Sequence, residues 1–259
     1  MIISRQQVFS QDILPAHPHF NPNSHFELTE GEQYLKNSNI LNAIDERISY
    51  NLNNYGHRCD NFNSPSKFLY AGCSTTFGES LPYKENWAGR LHSKFNSQEE
   101  FHALGYLNGN ISYIINNMFK YFNNIGNPEV IFCCFPDSTR RIVSVGKQFT
   151  FEMSRTPDLL NEHQMLGMYS LMALESYCST NNIKFFWTSW QNSDLKFFST
   201  LGFKNLVFDD IADIYLHAKN DNEKNDPLYD MGMDKIHPGL RYSDGLANIF
   251  YNRYVKDDI

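Results

Sequence analysis

The chain has 259 residues, of which 41% are hydrophobic and 15% aromatic, and its formal net charge at pH 7 is −7. This length allows one main domain with a sizeable core, and the composition is that of an ordinary globular protein, neither disordered nor membrane-spanning. The only short basic cluster is Arg140-Arg141, which argues against an extended surface for nucleic acid or anionic membrane. We therefore expect a neutral or polar substrate and no nucleic-acid partner.

The cysteines and histidines give no metal-site or disulfide pattern. Five cysteines occur without a CxxC pair, and an odd number cannot pair completely within one chain. His17, His19 and His25 lie among proline and asparagine residues, which do not preorganise a ligand geometry. The N-terminus carries no secretory signal pattern, and no apolar run reaches membrane-spanning length. We expect no metal and no cofactor, no membrane span, and a cytoplasmic location in the producing cell, with non-classical export or a place in a virion left open.

The first quarter of the chain differs from the rest. Pro15, Pro18 and Pro22, with several polar neighbours, predict an extended arm over residues 1 to about 30. Between Tyr34 and Leu52, apolar residues recur at three to four positions and predict one amphipathic helix that packs on the main domain. The sequence thus divides into an N-terminal extension over residues 1–66 and a main domain over residues 67–259.

From Lys67 onward, short apolar runs alternate with helical patterns, as in parallel strands joined by helical crossovers. The predicted strands are Phe68–Gly72, Phe101–Leu104, Val130–Phe135, Ile183–Trp187 and a weaker fifth, Asn205–Phe208. The predicted helices are Trp87–Phe95, Ser112–Phe122, Pro157–Ser179 and a final one after His237. Val130–Phe135 is continuously apolar, which is typical of a central strand covered on both faces. The predicted fold class is α/β, with a parallel five-stranded sheet.

A serine follows the first predicted strand on a tight turn. The sequence Gly-Cys-Ser-Thr places Ser74 there, and 163 positions later Asp234 and His237 supply a carboxylate and an imidazole three residues apart. A serine hydroxyl becomes a good nucleophile when a base takes its proton and a carboxylate orients that base. Taken alone, Ser74 also fits an ordinary turn serine, and His237 also fits an ordinary loop histidine. Both residues, however, are predicted to lie at the carboxyl end of the sheet, where ligands bind in such folds. We predict that they converge in one site.

These motifs resemble, in order and over residues 50–255, those of the SGNH hydrolases, also called the GDSL esterase/lipase family. Gly-Cys-Ser-Thr-Thr-Phe-Gly-Glu in this chain is similar to the family's first block, except that Cys73 stands where the family has aspartate. Asp-Lys-Ile-His-Pro-Gly is similar to the family's last block. The resemblance implies a three-layer α/β/α sandwich with a flavodoxin-like, doubly wound sheet. It also implies a catalytic triad of Ser74 as nucleophile, His237 as base and Asp234 as the orienting carboxylate.

The oxyanion hole is where the sequence departs from this family. The resemblance implies that the backbone N–H of Ser74 is joined by that of a second-block glycine, for which Gly109 is favoured and Gly105 is the second choice. In the third block, Pro136 stands where the family has asparagine. Loss of one such donor typically costs about 10²–10³ in turnover. Arg140, just beyond, is a further candidate donor.

The resemblance implies hydrolysis of a small acyl ester, for example an O-acetyl group on a carbohydrate, so the expected partner is a small-molecule or glycan ester. Two alternatives stay open. Pro136 favours a catalytically weak or inactive binding or structural protein of a viral or surface assembly. An O-acyltransferase would use the same triad. A homo-oligomer or an assembly partner also stays open.

Overall fold

A computed structural model describes residues 2–4, 12–16, 20–27, 48–79, 81–138, 140–145, 148–153, 157–207 and 237–257. The strands in these ranges are β1 (Ile2–Ser4), β2 (His25–Glu27), β3 (Ser49–Asn51), β4 (Phe68–Gly72), β5 (His102–Gly105), β6 (Val130–Phe135), β7 (Arg140–Val145), β8 (Gln148–Met153) and β9 (Lys184–Ser189). The helices are α1 (Ser74–Phe77), α2 (Trp87–Lys94), α3 (Ile111–Asn124), α4 (Pro157–Thr180), α5 (Asn192–Thr200) and α6 (Leu240–Asp257).

The centre of the described chain is a parallel sheet of four strands in the order β5-β4-β6-β9. Every residue of β4 and β6 is buried, as expected for strands covered on both faces. This confirms an α/β fold with a parallel sheet and β6 as a central strand. The predicted fifth strand, Asn205–Phe208, extends beyond the described residues; its described part makes one parallel bridge, between Trp187 and Leu206.

Helices cover both faces of this sheet. Neighbouring residues of a strand point to opposite faces, and on β9 the ring of Phe186 contacts Tyr254 of α6, whereas Trp187 donates a hydrogen bond to Glu175 of α4. Helix α2 lies beside α6, since the Trp87 ring packs on an α6 phenylalanine with centroids 5.2 Å apart. The helices α2 and α6 therefore form one layer, and α4 belongs to the other.

An aromatic row crosses the sheet on the α6 side. Tyr70, Phe132 and Phe186 are register partners on β4, β6 and β9, and their rings stack at centroid distances of 5.8 and 5.5 Å. Phe250 of α6 packs on Phe132 with centroids 5.5 Å apart. This contact seats α6 against the central strand, and α6 begins three residues after His237.

The extended arm predicted over residues 1 to about 30 contains two short strands in its described part. Ile2–Ser4 forms a strand that pairs with β8, and His25–Glu27 pairs with β3. The predicted helix from Tyr34 lies mostly outside the described residues, but its last residues form β3. There Tyr50 is buried between two exposed neighbours, and this alternation is that of a strand.

The described part of residues 1–66 contacts the main domain. The Ala16 carbonyl accepts a hydrogen bond from the Leu107 N–H at 3.0 Å. The Asp60 N–H donates to the Phe101 carbonyl, just before β5, at 3.0 Å. Within the extension itself, the Nε2 atom of buried His57 lies 2.9 Å from the Leu14 carbonyl oxygen. No helix in the described ranges is both long and apolar enough to cross a membrane.

A β7–β8 hairpin that was not predicted from the sequence follows the central strand β6. Its strands pair antiparallel from Arg140 opposite Met153 to Val145 opposite Gln148. The sequence here is rich in β-forming residues, alternates in part, and has a turn signal in its middle, which is typical of a hairpin. It reads Arg-Arg-Ile-Val-Ser-Val, then Gly-Lys, then Gln-Phe-Thr-Phe-Glu-Met.

Candidate active site

Ser74 opens the one-turn helix α1 directly after β4. Cys73 occupies the N-cap position, and its carbonyl accepts hydrogen bonds from the N–H groups of Thr76 and Phe77 at 3.0 and 3.1 Å. The Ser74 residue is only 6% exposed. The first N–H groups of a helix have no acceptor within it, so the Ser74 N–H is not engaged inside α1, and its oxyanion role stays a prediction.

The turn needs glycine at position 72. A Cβ atom there would overlap the carbonyl oxygen of Cys134 on β6 and the hydroxyl of Thr76. The backbone of β4 therefore passes close to β6 just before the serine, and only a residue without a side chain fits.

A second glycine brings the chain back over the serine. Gly78 ends α1 in the left-handed conformation at φ 77°, and its N–H donates to the Ser74 carbonyl at 2.9 Å. The next N–H, that of Glu79, donates to the same carbonyl at 3.2 Å. Gly78 is a helix C-cap of the usual glycine type, and it places the Glu79 side chain beside Ser74.

The structure brings Ser74 and His237 together, as the sequence predicts. The Nε2 atom of His237 lies 2.9 Å from the Oγ atom of Ser74, across 163 positions of sequence. The His237 side chain is 20% exposed. This distance is within the reach required of a general base toward its nucleophile. Asp234 lies outside the described residues, so its role as the orienting carboxylate stays a prediction.

Glu79 is a functional candidate that the sequence analysis did not assign. Its Oε2 atom lies 3.3 Å from Nε2 of His237, and its side chain is 28% exposed. Two oxygen atoms, from Ser74 and Glu79, therefore face the same imidazole nitrogen. The available signal was the glycine before Glu79, since a left-handed C-cap after a one-turn helix directs the following residue back toward the helix.

Gly109, the favoured second oxyanion donor, is engaged in a turn. Its N–H donates to the Tyr106 carbonyl at 3.1 Å. The Tyr106 N–H in turn donates to the Gly72 carbonyl at 2.9 Å, which ties this turn to the serine loop. Gly105, the second choice, is the last residue of β5 and pairs with Gly72. Neither is joined to Ser74 by a hydrogen bond between described residues, so their oxyanion roles stay predictions.

Pro136 lies directly after β6, at the carboxyl end of the sheet. The following Ser138 is held by Asp194 of α5, whose carboxylate accepts from the Ser138 N–H at 2.7 Å and from its hydroxyl at 2.5 Å. Burial raises the pKa of Asp194 to about 6, although both Ser138 hydrogen bonds act in the opposite direction. The segment after β6 is therefore fixed in place by α5.

The Arg140 guanidinium lies over an indole. Its central carbon is 5.7 Å from the ring centroid of Trp190, and the backbone N–H of Trp190 donates to the Phe135 carbonyl at the end of β6. The Nη1 atom of Arg140 is buried and has no hydrogen-bond acceptor among the described residues. Arg140 is thus near the end of the sheet where the serine lies, and its role as an oxyanion donor stays a prediction.

Cys73, next to Ser74, is 1% exposed and is a free thiol. A nucleophilic thiol requires access and an electropositive setting, so its burial favours Ser74 as the reacting group. The other described cysteines are also buried and free.

Comparison of the chain with protein-family models, curated proteins and solved structures finds no match.

Proposed function

We propose that the protein is a serine ester hydrolase of the SGNH type, which cleaves a small acyl ester such as an O-acetyl group on a carbohydrate. The observation that carries the proposal is the 2.9 Å separation of His237 Nε2 and Ser74 Oγ in a site at the carboxyl ends of parallel strands. The strand order also supports it, because the second strand of the parallel sheet lies outside the first, as in flavodoxin-like folds.

The reaction follows from these positions. The Ser74 Oγ atom attacks the ester carbonyl carbon while its proton passes to His237 Nε2. The oxyanion that forms is stabilised by the Ser74 N–H and by the further predicted donors Gly109 and Arg140. When the carbon–oxygen bond breaks, the alcohol oxygen takes the proton from Nε2. Water then gives a proton to Nε2 and attacks the acyl carbon, the acid leaves, and Oγ regains its proton. Asp234 is proposed to orient the imidazole.

The proposal is tested by hydrolysis of p-nitrophenyl acetate by the parent protein and by the Ser74→Ala variant. We expect the variant to lose at least about 10³-fold in kcat/KM, since removal of a nucleophile leaves only residual catalysis. Thr75→Ala, a neighbour on the same turn, is the matched control and should retain most of the activity. Equal rates for parent and Ser74→Ala would contradict the serine mechanism.

A second candidate function is a binding or structural role without catalysis. Two observations favour it: Pro136 removes the usual amide donor, and the Gly109 N–H is already engaged by Tyr106. This candidate predicts no Ser74-dependent hydrolysis and retained binding of an acylated glycan. An acyltransferase would instead form an acylated sugar from an acetyl donor and a sugar acceptor, which product analysis distinguishes from hydrolysis.

A further inference from the structure

We propose that Glu79 selects the alcohol portion of the ester: it favours an alcohol with a hydrogen-bond donor on the second carbon from the ester oxygen, as in a 1,2-diol, and it disfavours an anionic alcohol. The donor is a hydroxyl, as in a polyol or sugar, or an ammonium group. This inference rests on the proposed function and names the substrate class of the same site.

The geometry at Nε2 of His237 leads to this assignment. When the alcohol leaves, its oxygen takes a proton from this nitrogen and must lie within about 3 Å of it. The Glu79 Oε2 atom lies 3.3 Å from the same nitrogen. The leaving oxygen and the carboxylate are therefore within roughly 6 Å of each other. A donor on the second carbon from the ester oxygen can reach the carboxylate, whereas the acyl group is attached on the other side of the ester oxygen.

The main chain on either side of Glu79 is anchored by a buried arginine. Arg58, which is 4% exposed, donates hydrogen bonds to the carbonyls of Gly78 and Leu81 at 2.6 and 2.8 Å, on either side of Glu79. The guanidinium also lies over the Tyr50 ring, 4.2 Å from its centroid. A side chain on such a fixed loop can discriminate between substrates, because little ordering is needed when the substrate binds.

The charge of Glu79 accounts for both halves of the selectivity. A hydrogen bond to a carboxylate is roughly twice as strong as one between neutral groups. A carboxylate in the alcohol portion would be placed beside that of Glu79 in a partly desolvated cleft, where like charges repel. The carboxylate also stabilises the imidazolium of His237, but that effect is common to all esters and cancels when two esters are compared.

The experiment compares kcat/KM for three acetate esters of similar size: 2-hydroxyethyl acetate, propyl acetate and carboxymethyl acetate. For the parent, we expect 2-hydroxyethyl acetate to exceed propyl acetate by roughly tenfold and carboxymethyl acetate to be the poorest substrate. In Glu79→Ala, the kcat/KM values of 2-hydroxyethyl acetate and propyl acetate should become equal within about twofold. In Glu79→Gln, kcat/KM for carboxymethyl acetate should rise at least about tenfold relative to that for propyl acetate. The protonated 2-aminoethyl ester, assayed at mildly acidic pH, distinguishes an ammonium preference from a hydroxyl preference.

Glu129→Gln is the matched control, because it makes the same charge change on a side chain that is 73% exposed at the amino end of β6. The ratios of kcat/KM between the acetate esters should be the same in Glu129→Gln as in the parent. If the parent and both Glu79 variants show the same ratios, the inference is overturned while the proposed function stands. If no ester is hydrolysed in a Ser74-dependent manner, both the proposed function and the inference are overturned.

Discussion

At the scale of single residues, the candidate site depends on Gly72, two positions before Ser74. A Cβ atom on Gly72 would overlap the Cys134 backbone, which cannot move without disturbing β6. We predict that Gly72→Ala lowers the free energy of unfolding by about 3 kcal/mol or more and abolishes Ser74-dependent hydrolysis. Urea unfolding and the acetate assay measure the two effects.

Gly202 provides the matched control for this substitution. It also has a positive φ, 71°, but a Cβ atom there meets nothing within 4 Å. Gly202→Ala should cost only the backbone strain, about 1–2 kcal/mol, and leave hydrolysis intact. Equal losses in the two variants would show that the close approach of β4 to β6 is not what requires Gly72.

A buried histidine predicts how stability varies with pH. His57 is completely buried, and this burial lowers its pKa from 6.5 to about 4. Between these values the unfolded chain binds the proton and the folded chain does not, so the free energy of unfolding falls as the pH drops from about 6.5 to about 4. The loss from this residue reaches about 3 kcal/mol.

The His57→Gln variant isolates this effect in urea unfolding at a series of pH values. Glutamine keeps an N–H donor for the Leu14 carbonyl but does not titrate. The variant should therefore show a flatter pH dependence over this interval, whatever its absolute stability. The same slope in parent and variant would contradict the role of His57.

At the scale of the elements, the aromatic row joins the strands to α6. Phe132 is fully buried, stacks on Tyr70 and Phe186, and contacts Phe250 of α6. We predict that Phe132→Ala lowers the free energy of unfolding by about 3–5 kcal/mol. Tyr169→Ala, on a residue of α4 that is 55% exposed, should change it by less than about 0.5 kcal/mol. Urea unfolding compares them, and similar small losses would contradict a central role for the row.

The sequence predicts an element well when both faces of that element are buried, because its residues are then continuously apolar. The run at Val130–Phe135 has no polar interruption, which identified a central strand. Tyr50 shows the opposite case, because apolar spacing around it matched a helix while the structure pairs it with Phe26 on a neighbouring strand. Strand pairing over 24 positions is a tertiary contact that local spacing does not encode.

The candidate site was predictable to a similar degree. Ser74 and His237 stand in ordered motifs, so their meeting could be expected from sequence. Glu79 could not be assigned in the same way, since its distance to His237 depends on the turn at Gly78 and on the place where α6 begins. A carboxylate after a turn is common in sequence, and only the folded geometry distinguishes this one.

At the scale of the whole molecule, the site is assembled from distant parts of the chain on one rigid support. Ser74 follows β4, and His237 precedes α6, which packs against the β6 strand next to β4. The helix α6 is further tied to α2 by ion pairs of Asp244 with Arg90 and Lys94, at 3.6 and 3.8 Å. These partly exposed pairs contribute little individually, so the aromatic contacts are the main determinant of where His237 lies.

The central claim, that Ser74 and His237 form a nucleophile and base, is tested most directly by covalent labelling with a fluorophosphonate, followed by mass spectrometry of the modified peptide. The label should be found on Ser74 of the parent protein and be absent from Ser74→Ala. In His237→Gln, shown to be folded by its unfolding curve, labelling should be slower by at least about 100-fold. A parent protein that takes no label at Ser74, or one that is labelled equally fast without His237, would contradict the account.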